Sequence, residues 1–592
     1  MNLSHRRPAL ALCAVFALFA VWQFGCRPSS PGESETAGST ESVAGESATA
    51  GEAPTDPIEP NAGSPPARTA GEPVETEPVE TEPVETEPGK TEPIETEPGK
   101  TEPVEPATVG DDPKDGNQDP PVEGGQSPPA DSTKVRAKLF KGWPKPKLVL
   151  VFTGNQSGYI EPCGCTGLAN QKGGLARRAT MLSGLAKRGW PVAAFDVGSQ
   201  VRRYGAQAEL KFRTAADAIA AMPYFGVAFG DDDLRLSVDA LLSVCDEDNP
   251  LFLSANASVL GVSATHRIVE VGGVKIGVTA VVGEMERQRV NSEEIEQQST
   301  SAGLTKVWPM LETANCDVHI LLAHSTLAEA HELARKYSQF DIIVTSGGAS
   351  EPAYEPEKVE GAGDTLLVQT GAKGMYAGVM GVFAGDERFR FQRVSMNDRY
   401  ADSKKMLDLM KAYQVQLQTI GLSDLGVRPL PHPTGRTFRG SESCRDCHQG
   451  AWDVWVESDH AGATDSIKNP NERVWIQRHF DPECLSCHVT GWNPQKYFPY
   501  TSGYLNFDLS KLLRGSGCEN CHGPGSAHVA AESGDEDVAD EEKMNRRLGM
   551  RLSKDDAEKK CLECHDLDNS PDFHQPGAFD RFWEAIEHES DE

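Results

Sequence analysis

Four short stretches in the last third of the chain repeat one pattern: Cys444-Arg-Asp-Cys447-His448, Cys484-Leu-Ser-Cys487-His488, Cys518-Glu-Asn-Cys521-His522 and Cys561-Leu-Glu-Cys564-His565. Cysteines three apart fall on one face of a helical turn. There two sulfurs can reach the two vinyl groups of one porphyrin, and the adjacent imidazole can reach its iron. Paired Cys-x-x-Cys units also bind zinc, but zinc does not require a His directly after the second Cys, and all four copies have one. The pattern therefore predicts four covalently bound haem c groups. Cys444, Cys447, Cys484, Cys487, Cys518, Cys521, Cys561 and Cys564 are expected to hold the porphyrins, with His448, His488, His522 and His565 as proximal iron ligands. About 150 residues enclosing four macrocycles cannot build a core of their own size, so this region is expected to fold only with them.

Six more histidines lie between 432 and 592: His432, His460, His479, His528, His574 and His588. A second imidazole makes a haem iron six-coordinate and suits it to electron transfer, whereas an open position lets a small ligand bind. Residues 437–589 resemble the tetrahaem cytochrome c-554 family. The likeness rests on Ser441-Glu442-Ser443-Cys444, Asp459-His460-Ala461, His488-Val489-Thr490-Gly491-Trp492, the run from Cys518 through Gly523-Pro524-Gly525 to His528, and the closing run from Ser570-Pro571 through Phe582-Trp583 to His588. It implies His460, His528 and His588 as distal ligands. Three distal ligands for four irons imply one five-coordinate haem, unless His479 or His574 fills the place.

Upstream, past Trp143, short apolar runs alternate with helical stretches, the pattern of a layered α/β fold. Strands are expected over 147–153, 192–197, 251–254, 276–282, 318–322, 341–345 and 365–369, and helices over 175–188, 206–221, 234–245 and 327–337. Four motifs carry a second resemblance: Phe152-Thr153-Gly154-Asn155-Gln156-Ser157-Gly158, Gly173-Gly174-Leu175-Ala176-Arg177, Leu253-Ser254-Ala255-Asn256 and Val368-Gln369-Thr370-Gly371 with Gly374 and Gly378. Residues 145–385 resemble the 5'-nucleotidase branch of calcineurin-like phosphoesterases, which implies a four-layer α/β sandwich holding two divalent metals. The metal nest is not matched. Asn155 and Ser157 stand in place of an Asp-x-His pair, Ser199 in place of a bridging Asp, Asp231 and Asp232 in place of Asn-His, and Gly347 to Ser350 carry no His. One imidazole, His324, and one carboxylate cannot fix two cations, so phosphoester hydrolysis is not expected. Cys163-Gly164-Cys165 is read first as a disulfide or inert pair, or as matched with Cys245 and Cys316. The second reading is an additional metal or redox site at Cys163 and Cys165.

At the start, Arg6 and Arg7 precede an apolar run from Ala9 to Trp22 that ends at Gly25-Cys26. This reads as an export signal, and Gly-Cys resembles a bacterial lipobox. The expectation is a signal peptide over 1–25 and a lipid anchor at Cys26, which places the protein in the periplasm or at the cell surface. Residues 26–143 form an extended linker with a Glu-Pro-Val-Glu-Thr repeat from Glu72 to Glu105, because a Pro every five residues denies helix and sheet their hydrogen bonds.

The remaining boundaries are 144–398 for the phosphoesterase-like domain, 399–435 for a connector with an amphipathic helix from Lys404 to Leu422, and 436–592 for a mostly α, loop-rich multihaem cytochrome c domain. The net charge of −32 argues against nucleic acid and for a basic redox partner protein. Electron transfer by an exported tetrahaem cytochrome is the leading reading. The alternative is a redox enzyme acting on a small nitrogen or oxygen species, at a five-coordinate haem or at Cys163 and Cys165.

Overall fold

The computed structural model describes residues 138–163, 171–245, 248–470 and 476–588. The expected signal peptide, the anchor at Cys26 and residues 26–137 of the linker lie outside them, as does Cys165. Of Cys163 only the backbone is described, pairing with Lys172 in a two-residue strand, Pro162–Cys163.

The middle region is a mixed α/β structure built on two six-stranded sheets. In the first, the spatial order is Phe389–Ser395, Tyr376–Val382, Leu148–Thr153, Val192–Asp196, Tyr224–Ala228 and Phe252–Leu253. Leu148–Thr153 runs parallel to Val192–Asp196, with Thr153 opposite Asp196, and antiparallel to Tyr376–Val382. The second sheet orders Glu357–Lys358, Leu366–Gln369, Ile342–Thr345, Val318–His324, Val274–Val282 and His266–Val271.

Alternation along these strands sorts the core. Leu148, Leu150 and Phe152 share one apolar cluster with Ile276, Val278, Ile320, Leu322 and Val344 of the other sheet. Val149 and Val151 point the opposite way, into a cluster with helices Leu175–Lys187, Ala206–Ala220 and Lys404–Asp424. Val281, Leu321 and Ile343 likewise meet helices Thr300–Thr313 and Leu327–Lys336. A strand buried on both faces reads as an unbroken apolar run, which is why LVLVFT shows no alternation in sequence.

Three departures from the sequence expectation have local causes. The helix expected over 234–245 is broken into a 3-10 turn, Asp233–Arg235, and a short helix, Val238–Leu242. Leu236 is extended, and the Ser237 hydroxyl accepts from Ala240 N at 3.3 Å, so a new N-cap interrupts the turn. Strand Tyr224–Ala228 departs from the expectation because Pro223 and Gly226 read as breakers. Gly226 is needed there: a Cβ would stand 3.2–3.3 Å from Leu253, Phe195 and Val278. Helix Thr300–Thr313 is concealed in the sequence by Pro309 in its interior.

The connector helix packs as expected. Met406, Met410, Tyr413 and Leu417 are buried against helices Leu175–Lys187 and Ala206–Ala220, and the helix kinks at Gly421, whose φ is 74°. Beyond it the chain is mostly short helices, among them Gln449–Glu457, Pro482–His488, Cys518–His522, Ser526–Ser533 and Lys554–Cys561. Among the described residues its buried apolar cluster is Ile467, Leu485, Val489, Trp492 and Tyr504. Among the described residues no helix is long and apolar enough to cross a membrane.

Candidate functional site

Each Cys-x-x-Cys-His motif sits on a helical turn. His448 N bonds Cys444 O at 2.9 Å and His565 N bonds Cys561 O at 2.8 Å, which brings each imidazole back over its cysteines. The second motif lies on Pro482–His488, a helix with Pro at its first turn and Asp481 as N-cap. Asp481 accepts from Glu483 N at 3.0 Å and from the side chains of Gln207 and Gln414 at 2.8 Å each. Burial pushes this carboxyl above its ordinary range. In the third motif Glu519 accepts from the backbone N–H groups of Arg439, Gly440 and Gly525, tying the Cys518–His522 turn to two neighbouring loops.

The histidines expected as proximal and distal ligands meet in pairs. Ring centroids lie 6.2 Å apart for His448 and His528, 6.1 Å for His460 and His565, and 5.9 Å for His522 and His588. With one nitrogen on each side about 2 Å from a shared metal, imidazole centroids stand roughly 6 Å apart, so these pairs fit a six-coordinate iron. The tautomers fit as well. His522 Nδ1 donates to Met550 O at 2.7 Å, His488 Nδ1 to Ala463 O at 2.8 Å and His588 Nδ1 to Ile586 O at 2.9 Å, which leaves Nε2 of each with its lone pair for a metal. Burial lowers the pKa of His460, His522 and His528. Burial together with His460 takes His565 down to about 4, so in all four rings the environment favours the neutral form that a metal would require.

His488 is different. Among the described residues no aromatic contact joins it to a second imidazole; its Nδ1 lies near Ala463 O and, at 3.3 Å, Ser466 Oγ. His479 packs on Phe480 and Phe507, His574 Nε2 bonds the carbonyl of His565 at 2.9 Å, and His432 packs on Phe438 and Tyr500. The thiols adjoin in a fixed order. Cys444 lies close enough to Cys518, Cys487 to Cys564 and Cys521 to Cys561 for each thiol to act on the ionisation of its neighbour. The four motifs therefore neighbour one another in the order first, third, fourth, second.

In the middle region Asn155, Asp231 and His324, which stand at phosphoesterase positions, are engaged by other groups. Asn155 Nδ2 donates to the carbonyls of Ser346 and Gly371, each at 2.8 Å. Asn155, Ser157 and Ser199 hold left-handed backbones, with φ of 48°, 51° and 58°. Asp196, fully buried, accepts from Thr153 Oγ1 at 2.5 Å, Gln200 Nε2 at 2.8 Å and Gly198 N at 3.0 Å, with the buried Arg178 guanidinium 3.4 Å away. His324 Nδ1 meets Val197 O at 3.1 Å and Nε2 meets Asp231 Oδ1 at 3.0 Å. Both partners are acceptors, which assigns a proton to each ring nitrogen. Although burial opposes the charge, Asp231 raises the pKa of His324. Against the same burial penalty, His324 and Arg289 lower that of Asp231. Asp233, bonded by three backbone N–H groups, is pushed by burial to about 7. Among the described residues no cluster of three His, Cys, Asp or Glu side chains is placed to hold a metal ion.

The motifs did not reveal the residues that join the two regions. Asp568 accepts from Arg202 at 2.7 Å and Tyr159 at 2.5 Å, and pairs with Lys373; Arg478 pairs with Glu161 at 2.5 Å. Although burial opposes it, the hydrogen bonds from Lys373, Tyr159 and Arg202 hold the Asp568 carboxyl down at about 2. Asp481 carried a readable signal, since Asp before Pro marks a helix start. Asp568 carried none.

Residues 443–523 match the family described as cytochrome c554 and c-prime. Cytochrome c-554 of Nitrosomonas europaea is 29% identical over 140 residues, 22% of this chain and 57% of that protein, so the chain spans little more than half the length of this relative. The middle region resembles calcineurin-like phosphoesterase and 5'-nucleotidase structures. A 5'-nucleotidase precursor from Thermus thermophilus aligns at 19% identity and a TM-score of 0.40, over 46% of this chain and 59% of its own. A sulfate thiohydrolase of the same organism aligns at 13% identity and 0.39, over 55% and 69%.

Proposed function

We propose that the chain is an exported tetrahaem c-type cytochrome that mediates electron transfer, with covalent attachment at Cys444/Cys447, Cys484/Cys487, Cys518/Cys521 and Cys561/Cys564. The observation that carries the reading is the set of three imidazole pairs at 5.9–6.2 Å, each joining a motif histidine to one expected as its distal partner. Bound there, haem iron supplies one-electron chemistry at a potential tuned by its ligands and burial. The chain's own part is to orient the imidazoles of His522, His488 and His588 through Met550 O, Ala463 O and Ile586 O, and to keep the four motifs next to one another. The family match over 443–523 supports the same reading.

His448 with His528, His565 with His460, and His522 with His588 are the axial pairs in this proposal, and His488 is a lone protein ligand. That asymmetry favours a second reading, in which a small nitrogen or oxygen species binds at the second motif. Electron paramagnetic resonance of the oxidised protein tests both: three low-spin signals and one high-spin signal are expected. Four low-spin centres that take up no cyanide or nitric oxide would remove the second reading, and a native mass without added porphyrin would remove both.

The finer architecture we infer for the middle region is a four-layer sandwich, supported by three apolar clusters alternating with two sheets. We infer that it does not hydrolyse phosphoesters. Asp196 is neutralised by Arg178, and His324, with a proton on both nitrogens, has no lone pair for a cation. Manganese-dependent release of phosphate from a nucleotide would refute this. The signal peptide, the lipid anchor at Cys26, the basic redox partner and any metal at Cys163 and Cys165 belong to the proposal on sequence grounds.

A further inference from the structure

We propose that the cleft where the middle and C-terminal regions meet binds a planar organic anion. Its volume is about 560 Å³, within the range of pockets that take organic ligands and far larger than one inorganic oxyanion needs. Five cations line it, Arg202, Arg203, Lys211, Arg428 and Lys496, against one acid, Glu483. In a chain of net charge −32 this local excess runs against the overall field.

The cations are not all neutralised. Glu483 is shared by Lys211 at 2.5 Å and Arg203 at 3.0 Å, and Arg202 is held by Asp568. Among the described residues Arg428 and Lys496 enter no ion pair, and both are exposed. The backbone adds to the charge. Helix Ala206–Ala220 begins at the cleft wall with Gly205 as N-cap, so no cap side chain satisfies its first-turn N–H groups, and Glu209 is the one acid in that turn.

The planar part of the ligand follows from the remaining walls. Tyr204 is 70% exposed, with the Arg235 guanidinium 5.0 Å over one side of its ring, and the Arg203 guanidinium lies 3.8 Å from the centre of the Tyr497 ring. These flat surfaces suit a conjugated ring system, while Arg428, Lys496 and the helix end suit its phosphate or carboxylate. Pro482 and Glu483, which also line the cleft, open the helix that carries Cys484, Cys487 and His488. A bound molecule therefore lies beside the second motif. Its nearness to a haem rests on the function proposed above; its binding does not.

The test is calorimetric titration of the full-length holoprotein with flavin mononucleotide, riboflavin and inorganic phosphate as probes. Flavin mononucleotide is expected to bind at least about tenfold more tightly than either of the others. The double substitution Arg428→Glu with Lys496→Glu is expected to weaken it by about tenfold or more, and Arg428→Gln with Lys496→Gln by a smaller factor, with haem content and visible spectrum unchanged. Equal affinity for riboflavin would overturn the charge requirement, and equal affinity for phosphate the planar one. Absence of flavin mononucleotide binding, or binding untouched by both double variants, would overturn the site. A low haem count would sink the cytochrome reading while leaving this titration interpretable.

Discussion

The middle and C-terminal regions reach compactness by opposite means. In the middle region two sheets and their helices bury three apolar clusters, and strands such as Leu148–Thr153 are buried along their whole length. In the C-terminal region the principal cluster is five residues, helices are short, and much of the cohesion runs through buried polar groups such as Glu519, Asp481 and the histidine pairs. Burial of side chains is proportional to what a chain can fold over itself, and a region of short helices and loops folds over little. The difference accords with the proposal that the second region folds around haem groups.

The contrast breaks most sharply at the attachment cysteines. Cys518→Ala with Cys521→Ala is expected to remove one haem and to render the region beyond residue 436 protease-sensitive while the middle region stays resistant, as read by haem staining and limited proteolysis. If both regions resist equally, the contrast is wrong. Where the connector helix packs on the middle region, Leu417→Ala should cost roughly 2–5 kcal/mol through the cavity it leaves, measured as a lowered urea midpoint with haem content unchanged. At the axial pairs, His528→Ala is expected to convert one low-spin iron to high-spin without unfolding either region, whereas His479→Ala and His574→Ala should leave the spectrum as it is.

The smallest effect belongs to the junction. Asp568 has a folded pKa of about 2, below the roughly 3.9 of an unfolded Asp, so its stabilising pairs are complete above that unfolded value and are lost as pH falls through the folded one. Acid unfolding followed between pH 4 and 2 should therefore be shallower in Asp568→Asn than in the parent. Identical curves would mean that Asp568 does not tie the regions.

Some of this was readable beforehand for physical reasons. A periodic apolar run announces a helix or strand whatever surrounds it, so the helices beginning at Leu175, Ala206 and Leu327 begin where expected. Tyr224–Ala228 and Thr300–Thr313 were hidden because Gly226 and Pro309 speak against an element locally, and only packing between layers outweighs them. The motif histidines and the three distal candidates were legible as residues. That His460 faces His565, rather than the nearer-in-sequence His448 or His488, was not, because such a pairing depends on where distant helices cross.

By itself, then, the amino-acid order determined the four Cys-x-x-Cys-His turns and the apolar runs that form strands, since each depends on neighbours a few residues away. Only the tertiary structure decided which imidazoles meet, that Arg178 lies against Asp196 and that a positively lined cleft opens beside Pro482. Those outcomes join residues tens to hundreds of positions apart, whose approach is set by the packing of whole layers and not by any local preference.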